Sequence, residues 1–166
     1  MIITRGDLDM WKKAKPYIIS VLIALGVDGL SALFTKNSFE VYKNLNQPPL
    51  APPMIVFPIV WGILFILMGI SSAIIYTKRD ENNEVNGALR IYGFQLAVNF
   101  FWSIIFFNMQ AYLFAFLWLL ILWALIIIMI VQFYKISRTA AYLQIPYFVW
   151  VTFAGYLNLM IYILNR

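Results

Sequence analysis

Asn99, Trp102, Ser103 and Phe106 stand on one face of a helix. Two further apolar stretches carry the same kind of stripe. Trp61, Phe65 and Met68 recur at i, i+4 and i+7, and Trp150, Ala154, Leu157 and Asn158 share a face that begins at Pro146-Tyr147. Indole and phenyl faces stack on a flat apolar partner, while a carboxamide supplies an acceptor and two donors. Each stripe alone would also suit helix packing. Asn99 and Asn158 shift the balance, because an amide in hydrocarbon needs a partner and so points inward. Three aromatic faces turned on a shared polar interior outline a pocket.

The residue types that are missing narrow the chemistry further. The chain has 166 residues with no histidine and no cysteine. That removes the usual general base, the commonest metal ligand and every thiolate reaction. No nucleophile constellation or acid–base pair takes their place, so conventional catalysis, a metal site and a resident cofactor are not expected. Asp28, between Gly26 and Gly29, is the one carboxylate inside an apolar stretch. An acid in such a place is either part of a functional site or a neutral acid bonded to a neighbouring helix or a wet mouth. Without a second buried acid or a histidine, it does not build a proton relay.

Elements able to hold these faces follow from composition. Hydrophobic residues make up 63% of the chain and charged ones 11%, against about 25% charged in soluble domains. Long apolar runs predict an all-α membrane protein, a bundle of five transmembrane helices at about 17–34, 54–76, 89–107, 112–133 and 140–164. Residues 1–16 read as a polar and basic extension, and residues 17–166 as one membrane domain without an internal repeat. The first apolar run is too long for a signal-peptide core and lacks a clear cleavage site. Pro58 and Pro146 fall inside the second and fifth spans, where each is expected to kink its helix and open space.

Nine of the twelve lysines and arginines fall on the side of the N-terminus, and only Lys36, Lys43 and Arg166 on the other. The positive-inside rule then puts the N-terminus in the cytoplasm and the C-terminus outside. The basic residues flank spans rather than cluster, so nucleic acid is not an expected partner. Composition rich in Ile, Asn and Lys, with no targeting sequence, points to a bacterial plasma membrane. Gly93 and Ala97 form a small-xxx-small pair on the third span that would allow a homodimer. Leu159, Tyr162 and Arg166 fit a short sterol-contact pattern too common to be diagnostic.

Between the first two spans lies Leu45-Asn-Gln-Pro-Pro-Leu-Ala-Pro-Pro53. A flexible linker would break a helix as well. Four prolines make sense if this loop must keep a shape over a pocket, with less order to impose on binding.

Several blocks together carry a resemblance: Pro52-Pro53 with Trp61-Gly-Ile-Leu-Phe65 and Met68-Gly69, then Gln95 to Phe107 with Asn99, Trp102, Ser103 and Phe106, then Pro146-Tyr147 to Leu157-Asn158. In this order and spacing the chain resembles the translocator protein family, the tryptophan-rich sensory proteins or peripheral-type benzodiazepine receptors, over about residues 17–164. The resemblance implies a five-helix bundle, often dimeric, with one pocket opening toward the first loop. Members bind porphyrins such as protoporphyrin IX, haem, synthetic isoquinoline and benzodiazepine ligands and, in some cases, cholesterol. Carried over by position, the ligand site would hold Trp61, Phe65, Asn99, Trp102, Phe106, Tyr147, Trp150, Ala154 and Leu157. Tyr42, Leu45, Pro48, Leu50, Pro52 and Pro53 would form its lid. Val41 and Leu50 stand where the family commonly has tryptophan, and Asp28 is outside the pattern.

Residues and resemblance agree on a membrane receptor or sensor for porphyrins and related lipophiles. One alternative is light- and oxygen-dependent porphyrin degradation, with Trp61, Trp102 and Trp150 as its candidates. The other is a tetrapyrrole or sterol transporter, which the missing inverted repeat and coupling charges disfavour.

Overall fold

The computed structural model describes residues 5–166, with side chains from residue 10 onward. Residues 1–4 of the expected N-terminal extension lie outside the described residues. Five stretches are long and apolar enough to cross a membrane: Met10–Phe34, Val56–Tyr76, Val85–Asn108, Tyr112–Ile136 and Arg138–Leu164. Among the described residues there are no strands. The chain is an all-α integral membrane protein.

Helix α1, Arg5–Phe34, begins well before the expected start at residue 17. The polar and basic residues from Arg5 onward are therefore continuous with the first span, because charged side chains suit a helix that has left the hydrocarbon. A short helix α2, Ser38–Lys43, follows. Then come α3, Val56–Tyr76, and α4, Val85–Ser103, which runs into a π-helical turn, Ile104–Asn108. Helix α5 covers Tyr112–Ile136. The expected fifth span is broken in two, α6, Arg138–Tyr142, and α7, Ile145–Leu164.

No kink forms within α3 at Pro58, whereas the fifth span breaks ahead of Pro146, with α6 ending at Tyr142, four residues before it. Pro58 is the third residue of α3 and Pro146 the second of α7. In a first turn the backbone N–H has no intrahelical acceptor, so proline costs nothing there and its fixed φ starts the helix. The proline inside a helix body is Pro16 of α1.

The long helices close a ring: α1 packs on α3, α3 on α7, α7 on α5, α5 on α4, and α4 returns to α1. Gly69 sets the closest approach. A Cβ built on it would stand 2.6 Å from the Val21 Cα, so only glycine lets the α1 and α3 backbones meet. Most other described side chains of α1 face outward, with Ala24 wholly buried.

Side chains on the inner faces tie the ring together. Trp118 Nε1 donates to the Val98 carbonyl at 2.8 Å, and Ser71 Oγ donates to the Ala140 carbonyl at 2.7 Å. Gly93 and Ala97 instead lie on the exposed face of α4, and a Cβ built on Gly93 would meet nothing within 4 Å.

Candidate ligand cavity under the α2 lid

Between α1, α3, α4 and α7, beneath α2, lies a cavity of about 210 Å³. It takes shape because each of these helices presents one polar or aromatic stripe to the ring's interior. From α3 come Phe57, Trp61 and Phe65; from α4 and the π turn come Asn99, Trp102, Ser103, Phe106 and Phe107; from α7 come Ala154, Leu157 and Asn158. Trp102 stacks on Phe106 with centroids 5.3 Å apart, and Trp61 lies 5.8 Å from Phe65. The walls are therefore aromatic planes held by one another rather than loose side chains. The π turn fits a functional position, since such turns occur often at sites; here it carries both Phe106 and Phe107 to the cavity.

Of the expected site residues, the fold gathers Trp61, Phe65, Asn99, Trp102, Phe106, Ala154 and Leu157 around this space. Tyr147 and Trp150 it does not. Tyr147 is wholly buried one layer behind the wall. Its hydroxyl accepts from Asn99 Nδ2 at 2.8 Å and donates to Gln95 Oε1 at 2.9 Å. A phenol so engaged fixes Asn99 rather than meeting a ligand, and leaves Asn99 Oδ1 as the amide atom available. Trp150 packs edge-on against Phe57, centroids 5.9 Å apart, and its buried Nε1 has no hydrogen-bond partner. Of the three tryptophans that photo-oxidation would use, Trp61 and Trp102 are thus at the cavity and Trp150 is behind it.

Asn158 lines the cavity but its amide is already occupied. It accepts from Trp102 Nε1 at 3.1 Å and donates to the Tyr112 carbonyl at 2.8 Å. It thereby clamps α7 to α4 and to the start of α5, as a buried amide in hydrocarbon must.

Sequence reasoning missed the contribution of α1. Val27, Asp28, Ser31 and Ala32 of α1, with Thr35 just past its end, form the fourth wall. The signal was present, because Asp28, Ser31 and Thr35 recur at i, i+3 and i+7. Among the residues lining the cavity, Asp28 alone carries a charge.

Of the expected lid residues only Tyr42 lines the cavity, and the loop that follows it is ordered by specific bonds. Tyr42 of α2 is buried and packs on Phe57 with centroids 5.2 Å apart. Its hydroxyl has no hydrogen-bond partner, and burial raises its pKa above the ordinary value of 10.0. Pro48 is buried, Leu45 and Pro52 are half-buried, and Pro53 is exposed. Leu50 points to solvent, 79% exposed, with φ of 70°. The Ala51 N–H donates to the Pro48 carbonyl at 3.2 Å, which closes a turn with Pro49 second and a left-handed residue third. Proline favours that second position and glycine the third, so Leu50 holds a strained backbone.

A clasp also absent from the sequence reading joins this loop to the end of α7. The Asn46 N–H donates to Asn165 Oδ1 at 2.8 Å, and Asn165 Nδ2 donates to the Asn46 carbonyl at 3.0 Å. Tyr156 donates its hydroxyl to the Pro49 carbonyl at 3.1 Å. Outside the loop, Phe39, Glu40, Tyr42, Lys43, Gln47, Pro52, Pro53 and Met54 line a second, shallower cleft. Phe39, Tyr42 and Met54 line both spaces and so form the partition between them.

Residues 18–164 match the TspO/MBR family. The chain belongs to that family. It is 37% identical to the "Tryptophan-rich protein TspO" of Chlorobaculum tepidum, across 89% of this chain and 92% of that one. It is 32% identical to the "Tryptophan-rich sensory protein" of Cereibacter sphaeroides, across 84% and 85%, and 32% identical to the "Translocator protein" of Bos taurus, across 78% of each. A TspO-type role in a membrane follows from this membership together with five membrane-spanning stretches.

Proposed function

We propose that this TspO/MBR protein is a membrane receptor or sensor that takes a porphyrin, or a related flat lipophile, into the cavity beneath α2. The observation that carries the reading is the combination of stacked aromatic walls, one free amide oxygen on Asn99 and α2 over the mouth, continued by a clasped loop. Burying a macrocycle's faces on Trp61, Phe65, Trp102 and Phe106 is favoured by roughly 25 cal/mol per Å² of apolar surface. Pyrrole N–H groups would meet Asn99 Oδ1.

The cavity volume adds a requirement. At about 210 Å³ it lies below the roughly 300–1,000 Å³ usual for drug-sized ligands. A macrocycle enters only if the segment from Ser38 to Pro53 moves, which makes the loop a lid in the functional sense. An iron porphyrin gains little over the free base, because the cavity offers no histidine or cysteine, only the weak thioether of Met54 and the Tyr42 phenol, which burial keeps protonated. By the same reading the lid and C-terminus face outward from a bacterial plasma membrane, and Gly93 and Ala97 on the outer face of α4 are the contact of a homodimer.

The test is titration of the purified protein with protoporphyrin IX and with haem, followed by tryptophan quenching. Saturable binding is expected, with haem no tighter than the free base. Ala154→Phe, which fills the cavity, is expected to weaken it at least about tenfold, or 1.4 kcal/mol. Unchanged affinity in that variant, with the fold intact, would refute the cavity as the site.

A further inference from the structure

We infer that Asp28 makes this cavity selective for flat ligands that carry a cationic amine. The inference rests on the cavity's being the ligand site and adds the charge class of its occupant.

Two independent features point the same way. Asp28 is the only charged side chain lining the cavity, where no lysine, arginine or second acid balances it. A carboxylate held in a span without a partner is costly, and a ligand ammonium relieves that cost through a charge-assisted hydrogen bond. The opposite walls supply the second feature. Trp61, Phe65, Trp102 and Phe106 present aromatic rings to the same space, and the electron-rich face of such rings attracts cations, tryptophan most strongly. An anion has the reverse fortune, meeting one negative charge and several negative ring faces. The carboxylates of an acidic porphyrin would therefore turn away from α1 toward the lid, where Lys43 lines the outer cleft.

Geometry separates Asp28 from a mere wetting group. It sits on the same α1 stripe as Ser31 and Thr35, but the Thr35 hydroxyl is spent on the Ser31 carbonyl at 2.8 Å. Of the three, only the Asp28 side chain supplies a charged acceptor.

A matched pair of three-ring probes tests this: 9-aminoacridine, a planar cation at neutral pH, and 9-methylanthracene, its uncharged hydrocarbon counterpart. Binding is measured by tryptophan quenching in a neutral detergent, corrected for partition into empty micelles. The wild-type protein is expected to bind the cation at least about tenfold tighter than the hydrocarbon, the scale of one charge-assisted bond. Asp28→Asn should bring the two affinities together by weakening the cation alone, and Asp28→Glu should restore much of the preference. Unchanged hydrocarbon affinity in Asp28→Asn reports an intact cavity. The inference is overturned if the wild type shows no preference, or if Asp28→Asn keeps it. If the wild type binds neither probe this inference is overturned, while the porphyrin titration with Ala154→Phe separately decides whether the cavity is the ligand site.

Discussion

Replacing Asn165 by alanine should release the lid without loosening the bundle. The substitution removes two bonds across the clasp, Asn46 N–H to Asn165 Oδ1 at 2.8 Å and Asn165 Nδ2 to the Asn46 carbonyl at 3.0 Å. A bond of this kind contributes about 0.5–1.5 kcal/mol net, and exposure of this pair places each in the lower half of that range. Together they amount to about 1–2 kcal/mol, a factor of roughly 5–30 in the opening equilibrium. Hydrogen exchange of the lid amides reads that factor directly, since local opening is what exposes them. Protection across residues 38–53 should fall by roughly 5–30-fold in Asn165→Ala, while the amides of α4 and α5 keep theirs. Tyr156→Phe removes only the bond to the Pro49 carbonyl, so its effect should be smaller and centred on the Leu50 and Ala51 amides beside it. Unchanged lid protection in Asn165→Ala would refute the clasp. Equal loss in α4 and α5 would show that Asn165 supports the bundle instead.

Three further outcomes follow from contacts already described. Gly69→Ala should lower thermal stability in detergent, because its Cβ would meet the Val21 Cα at 2.6 Å; forced separation of packed elements costs about 1–3 kcal/mol, and an unchanged midpoint would mean α1 and α3 do not pack this way. Leu50→Asn should increase lid protection modestly, since a leucine in the left-handed region costs about 1–2 kcal/mol and asparagine tolerates it better. For pH, Tyr42 is the group to follow: its pKa is raised in the docked lid by burial, so docking favours the neutral phenol. The stability it carries is complete below the unfolded value of 10.0 and is lost as pH rises through the higher docked value. Lid exchange corrected for intrinsic rates should accelerate as pH rises from 10.0 to the docked value in the wild type, level off above it, and show no such rise in Tyr42→Phe.

Much of the bundle was legible along the chain, for reasons that can be named. Hydrocarbon imposes helices on every spanning segment, so apolar runs alone give the number of spans. The 3.6-residue period places Trp61 with Phe65 and Asn99 with Trp102 on single faces. Pro58 makes no kink, and Pro146 makes a break between α6 and α7 rather than a kink, for a local reason. A proline's effect depends on its distance from the helix start, and an apolar run does not mark where the first turn begins.

What the sequence by itself determined is the kind of molecule: an all-α membrane chain with aromatic and amide stripes and without histidine or cysteine. Those properties belong to single residues or single helices. Which stripes meet is a different matter, set by the ring order and by the close approach at Gly69. Only the tertiary structure moved Tyr147 and Trp150 behind the wall, brought Asp28 into the cavity and joined Asn46 to Asn165 across 119 positions of chain. Periodicity fixes the direction of a side chain about its own axis. It does not say which neighbour stands there, and the cavity is made of neighbours.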